Sequence, residues 1–180
     1  MHDEKTSQEV LDQSLLMALM NVADPQPADR LLEAVQVWLA QGASANAVDG
    51  DQLSAIHIAA AYCDDARVAQ LLVKHGANVH AVDKNGKTPL HYAAAFSSRA
   101  FTAALIDAGA SITALDASGS GVAHFAAINE DHEVLELFVE LGVDLKTPAS
   151  GLTPLQLALV AAKRTHGGNA KTVEVLVKAL

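Results

Sequence analysis

The chain has a single cysteine, Cys63, so no disulfide can form within it. The neighbouring Asp64 and Asp65 disfavour a thiolate, and Cys63 reads as an inert loop thiol. Aromatic residues are scarce, 4% of a sequence that is 51% hydrophobic, so a core here is one of Ala, Leu and Val. No apolar run approaches the ~20 residues of a membrane span. The start, Met1 to Val10, is polar and acidic where a secretory signal is basic and then apolar. These absences point to a cytoplasmic protein without a membrane partner. Basic residues are also few: 12 Lys and Arg stand against 21 Asp and Glu, a formal charge of −9 that argues against nucleic acid as a partner. The deficit is uneven, since residues 151–180 hold Lys163, Arg164, Lys171 and Lys178 against Glu174 alone. That end reads as a solvated polar cap or as an electropositive end that receives an acidic partner.

What the chain does have is repetition. Ser54-Ala55-Ile56-His57-Ile58-Ala59-Ala60 returns as Thr88-Pro89-Leu90-His91-Tyr92-Ala93-Ala94, as Gly121-Val122-Ala123-His124-Phe125-Ala126-Ala127 and as Thr153-Pro154-Leu155-Gln156-Leu157-Ala158. The histidines at 57, 91 and 124 lie 34 and then 33 residues apart. A second marker keeps the same phase: Gly42-Ala43, Gly76-Ala77, Gly109-Ala110 and Gly142-Val143. Two markers in step over most of 180 residues identify a repeat array.

Local chemistry explains the period. Asn85-Gly86 is a tight-turn pair, and Thr88-Pro89 supplies a hydroxyl N-cap and a proline at the first helical position, so a short helix starts at about residue 89. Leu90, Ala93 and Ala94 share a face on which small side chains let helices approach closely. A second helix carries an apolar stripe at i, i+3, i+4: Val68, Leu71 and Leu72, then Phe101, Ala104 and Leu105, then Val134, Leu137 and Phe138. Gly76, Gly109 and Gly142 end it. One helix pair cannot bury such a stripe alone, so the copies must stack into a curved rod with atypical units at the ends.

The Thr88-Pro89-Leu90-His91-x-Ala93 string, together with the Gly-Ala marker, resembles the ankyrin repeat. The expected fold is therefore all-α: an ankyrin-repeat solenoid of stacked helix-turn-helix units with short turn or β-hairpin tips and capping units at both ends. The expected organisation is a single domain over 1–180. It comprises a degenerate N-terminal cap at 1–48, full repeats at 49–82, 83–115 and 116–148, and a C-terminal cap at 149–180. In the first cap, a helix from about Val10 to Ala23 precedes a long loop at Asp24-Pro25-Gln26-Pro27, and Ala34, Val37 and Trp38 mark the second helix, with Trp38 in the slot of Leu72. The second unit has one extra residue between Cys63 and Arg67. The unit at 116–148 departs most, because Gly121, Val122 and Ala123 replace Thr, Pro and Leu; Phe138 is the side chain expected to refill the space. The last unit gains about six residues around Lys163 to Asn169, a loop that is either a tolerated insertion or a contact site.

Several fragments suggest chemistry and then break off. Gly86-Lys87-Thr88 ends like a phosphate-binding loop, but Ala81 stands where that motif needs glycine. Gly119-Ser120-Gly121 opens like a dinucleotide fingerprint, with His124 at the third glycine. His132-Glu133-Val134-Leu135-Glu136 begins like a zinc-protease helix and ends on Glu in place of the second His. His57, His91 and His124 stand one per unit, and units stacked ~10 Å apart hold them too far from one another to share an ion at ~2 Å. The resemblance implies instead that they link each helix start to a neighbouring turn. No catalytic residues, cofactor or metal are therefore expected, and an enzyme is not the reading.

The resemblance implies a non-catalytic module that binds another protein on its concave face, as inhibitor, adaptor or immunity protein, and that is a monomer when free. Carried to this chain, its contact positions are Asp51, Leu53, Asn85, Lys87, Ser118, Ser120 and Leu152 at the turns. On the helices they are Tyr62, Phe96, Ile128 and Asn129, with Ala61 and Ala95 beside them. Tyr62 and Phe96 occupy equivalent positions and are expected to be neighbours, the composition of an interface hot spot. Two alternatives stand beside this: a small-ligand protein or enzyme with a site at the 163–169 loop using Lys163, Arg164 and His166, and a self-associating structural protein.

Overall fold

A computed structural model describes residues 2–20, 28–129, 132–164 and 170–180. Among the described residues ten helices alternate in two rows. The first row is α1 (His2–Met20), α3 (Ala55–Tyr62), α5 (Pro89–Phe96), α7 (Val122–Ile128) and α9 (Pro154–Arg164). The second is α2 (Ala28–Ala40), α4 (Ala66–Lys74), α6 (Arg99–Asp107), α8 (His132–Glu140) and α10 (Ala170–Ala179). Each helix packs on its sequence partner and on the next member of its own row, which makes an all-α solenoid of stacked pairs. Among the described residues extended pairing is limited to isolated bridges at the tips, Val48 with Ser54, Leu115 with Gly121 and Ala149 with Leu152. The 165–169 segment and the Asp24–Pro27 loop lie outside the described residues, as do the side chains of Lys163, Arg164 and His166.

Alanines make the stacking possible. Ala59 and Ala60, Ala93 and Ala94, and Ala126 and Ala127 are all buried, so first-row backbones approach with little side chain between them. The second-row stripe is rotated slightly from the sequence reading. Val68, Ala69 and Leu72, Phe101, Thr102, Ala104 and Leu105, and Val134, Leu135 and Phe138 are buried, so the Phe101, Ala104, Leu105 stripe holds, whereas Leu71 and Leu137 are only half-buried. The larger correction falls in α2, where Val35 and Leu39 are buried, Trp38 is half-buried and Val37 is exposed. Trp38 nonetheless keeps the Leu72 position, its carbonyl accepting from the Ala43 N–H as that of Leu72 accepts from the Ala77 N–H, and its half-buried side chain packs against the core. Helix α1 also begins at His2 rather than Val10. Its polar first turns are pinned to the loop after α2, with Gln8 Nε2 donating to the Gly42 carbonyl at 3.0 Å and the Ser44 N–H donating to Asp12 at 2.7 Å. Cys63, the first residue of the break after α3, lies in the loop as expected, its N–H donating to the Ala59 carbonyl, but its side chain is buried in the core. Burial first, and then the neighbouring aspartates, push its thiol up to about 11.

The turns before α3, α5 and α7 are one device repeated. A leading aspartate accepts from the N–H groups two and four residues on: Asp49 from Asp51 and Leu53, Asp83 from Asn85 and Lys87, and Asp116 from Ser118 and Ser120, at 2.8–2.9 Å. Burial opposes the charge on Asp83 and Asp116, but the donated hydrogen bonds together outweigh it and hold both carboxyls below their ordinary range. Gly86 has φ +74°, and a Cβ there would meet the Ala117 nitrogen at 3.0 Å, so this turn needs glycine for conformation and for space. The equivalent turn of the previous unit carries Gln52 at φ +63°.

Histidines join one unit to the next. The Nδ1 atoms of His57 and His91 accept from the Ser54 and Thr88 N–H groups, which places the imidazole proton on Nε2. That proton is donated to the carbonyls of Lys87 (3.0 Å) and Ser120 (3.2 Å) in the following turns. Turn-to-turn bonds run alongside, from the Lys84 N–H to the Asp51 carbonyl and from the Ala117 N–H to the Asn85 carbonyl. His124 Nδ1 accepts from the Gly121 N–H at 3.2 Å in the same way, but its buried Nε2 meets no partner among the described residues. In the last unit Gln156 takes the place of the histidine, accepting from the Thr153 N–H at 2.9 Å.

Two predictions follow from this ladder. Gly121 supplies no hydroxyl cap and His124 no bond to the next turn, so 116–148 is the softest of the middle units; amide exchange should show residues 119–128 less protected than 86–95, and equal protection contradicts it. Burial lowers the pKa of His57 and His91 below their ordinary 6.5, despite the opposing pull of the Lys87 and Ser120 carbonyls. The unfolded chain therefore binds protons more readily, and stability that is full above pH 6.5 falls as the pH drops below it, by at most about 1.4 kcal/mol per unit for each imidazole. Urea unfolding between pH 7.5 and 5.5 measures that slope. His91→Gln, which keeps the acceptor that Gln156 provides, should remove the His91 share and leave that of His57; an unchanged slope shows that His91 is not a source.

Candidate functional site

The first-row helices leave a line of large apolar side chains uncovered. Tyr62, Phe96, Ile128 and Val160 are 56%, 60%, 52% and 49% exposed on successive first-row helices, with Leu159 exposed beside Val160. Tyr62 and Phe96 come five residues after the histidine of their unit, and Ile128 and Val160 four residues after His124 and Gln156. Asn129, beside Ile128, is exposed and closes α7. Ala95 is buried and Ala61 half-buried, so Ala95 has no free surface for a partner. The reason is packing: Ala95 belongs to the face that α5 turns toward its neighbours, while Phe96 turns out.

Beneath this line lies a second aromatic layer that the sequence reading missed. Tyr92 and Phe125, each one residue past a buried histidine, are half-buried. Tyr92 meets the edge of His57 with ring centres 5.6 Å apart and planes at 88°, and Phe125 meets His91 at 5.2 Å and 80°. Phe96 lies tilted on Tyr92 at 6.3 Å, so among the described residues its ring contact is within its own helix rather than with Tyr62. An i, i+4 aromatic pair on one helix face is the signal that would have found it. The Tyr92 hydroxyl donates to Asp83 at 2.8 Å, and its own ionisation is pushed up by burial and then by that carboxylate. The aromatic layer is thereby fixed to the turn.

The turn residues divide into free and engaged. Asp51, Asn85 and Ser118 are exposed at the tips. Asp51 pairs with Lys84 at 3.0 Å, both well exposed, an interaction of small energetic consequence. The Asn85 carbonyl carries the bond from Ala117, and the Ser118 hydroxyl donates to Asp116 at 2.7 Å. Lys87 is half-buried, with Nζ 5.0 Å from the centre of the Phe125 ring and 6.0 Å from that of Tyr92, so its ammonium sits on aromatic faces. Ser120 is half-buried, giving its carbonyl to His91 and its hydroxyl to Ser118. Leu53 is packed against the core and is not an open contact. Leu152, 38% exposed, sits in a tip that is one residue shorter than the others.

The geometry offers contact area and fixed hydrogen-bonding groups. His57 and His91 have both ring nitrogens engaged in the fold, which leaves them no lone pair for a ligand. Among the described residues no helix is long and apolar enough to cross a membrane. A family model for ankyrin repeats in three copies matches residues 19–116, more than half of the chain. No curated protein matches it.

Proposed function

The chain belongs to the ankyrin-repeat family, whose members generally mediate protein–protein interaction, and we propose that it is a non-catalytic module that binds one partner protein on its first-row face. The observation that carries this is the exposed line of Tyr62, Phe96, Ile128 and Val160 backed by Tyr92 and Phe125. A row of single large apolar side chains on a stacked helical face is the composition of an interface centre, with aromatic anchors on a preformed support. The exposed polar tips at Asp51, Asn85 and Ser118, with Asn129 at the end of α7, would supply its rim. Lys87, held on the rings of Phe125 and Tyr92, stands between the two and would set a polar contact at a defined position. Occlusion of the partner, as inhibitor, adaptor or immunity protein, is the form of activity such a surface supports, and cytoplasm is the compartment proposed.

The test separates binding from folding. The Tyr62→Ala/Phe96→Ala double variant should keep the unfolding free energy within about 1 kcal/mol, as exposed substitutions do, whereas Leu90→Ala in the core should cost about 2–5 kcal/mol. Partner captured from source-cell lysate by the unaltered chain should be lost with the double variant, in line with about 2 kcal/mol or more for a hot-spot pair. Undiminished capture, or unfolding as severe as that of Leu90→Ala, would refute the assignment of this face.

A further inference from the structure

The segment that leads into α7 and the loop after α8 border a cleft of ≈ 310 Å³ that the stacking does not explain. It is bordered by Leu115, Gly121, Ala123, His124, Val143 and Thr147. Gly121 and Ala123 stand where the preceding unit has Thr88 and Leu90, so the missing side-chain volume lies at this spot. Phe138 is fully buried, yet the space beside Ala123 stays open, so the expected refilling is incomplete.

His124 is 4% exposed and borders this cleft. Because Nδ1 accepts from the Gly121 N–H, the proton lies on Nε2, and this buried donor has no acceptor among the described residues. The cause is visible in the next tip. Residues 149–152 form a turn one residue shorter than 116–120, with Ala149 in the place of the leading aspartate, and the Leu152 carbonyl accepts from the Ala149 N–H. The Leu152 carbonyl is the counterpart of the Lys87 and Ser120 carbonyls, each of which also accepts from the N–H that opens its own tip, but in this shorter tip it takes no bond from His124. A buried donor left unpaired is strongly unfavourable, and an occupant that brings an acceptor relieves it.

We propose that this cleft binds a small uncharged carbonyl compound, whose oxygen accepts from His124 Nε2–H and whose apolar body lies against Leu115, Ala123 and Val143. The volume is at the lower end of ligand pockets, roughly 300–1,000 Å³, and such sites are apolar with few placed polar groups. The charge of the occupant follows from Asp144, which also borders the cleft and is held ionised by the Thr147 hydroxyl and the Lys146 and Thr147 N–H groups. An anion is repelled, and a cation lacks the acceptor that His124 needs. The site shares no residue with the Tyr62–Val160 line, so it stands or falls independently of the protein-binding reading.

The experiment is an NMR titration of the full chain with acetanilide and cyclohexanone, beside benzoate and benzylamine as charged counterparts, following backbone amides and the His124 imidazole. Saturable millimolar shifts are expected from the neutral compounds at residues 112–124 and 143–147 and at His124 Nε2–H, with at least tenfold weaker response to the charged ones. His124→Gln should weaken binding at least tenfold, since glutamine keeps the helix-start acceptor role seen at Gln156 and lacks the ring donor. Gly121→Thr, which restores a hydroxyl cap and narrows the cleft against Leu115, should do the same in a chain at least as stable. Absence of saturable shifts from both neutral compounds in the unaltered chain, or shifts that persist unchanged in both variants, overturns the proposal.

Discussion

A neutral imidazole carries the register of this solenoid. Each of His57 and His91 holds the start of its own helix through Nδ1 and the turn of the following unit through Nε2, and it can do both only when uncharged and in one tautomer. Burial enforces that state, since charging the ring inside the stack removes its acceptor and strands an ion. The apolar stripes supply most of the driving force for stacking, but they are tolerant of sliding. The imidazole bond is directional, and it settles where one unit sits on the next.

From that register the surface follows. Fixing the turn of residues 83–88 against His57 places Lys87 beside Tyr92 and Phe125, and the Asp83 carboxylate that organises the same turn also holds the Tyr92 hydroxyl. Tyr92 in turn supports Phe96. The exposed aromatic is thus the outer end of a chain of contacts that begins at a buried histidine, which is the kind of support that keeps a binding side chain in place at low entropic cost. Where the chain of contacts stops, at His124, a cleft opens between the segment leading into α7 and the loop after α8.

Much of this was legible in the residues alone. The period, the helix starts at Pro89 and the glycines that end the second helices follow from local chemistry, and they lie where the sequence placed them. The exposure of Tyr62 and Phe96 followed from their place in the repeat. What sequence could not give depends on volumes and directions in three dimensions. Trp38 holds the Leu72 position that spacing assigns it, but it is only half-buried, and Val35 and Leu39 are the side chains of α2 that lie in the core. Leu53 lies at a tip by position, yet packs on the core because its neighbours leave room. The paired role of Tyr92 and Phe125 needed the distances to the histidines, and the unpartnered Nε2 of His124 needed the placement of its ring against the following tip.

The most direct test of this account is the ¹⁵N imidazole spectrum of the folded chain as a function of pH. The account predicts that His57 and His91 remain neutral, with the proton on Nε2, well below pH 6.5, and that they take up protons only as the fold is lost. Rings that titrate freely near pH 6.5 in the folded protein, or that carry the proton on Nδ1, would contradict the claim that neutral imidazoles hold the units in register.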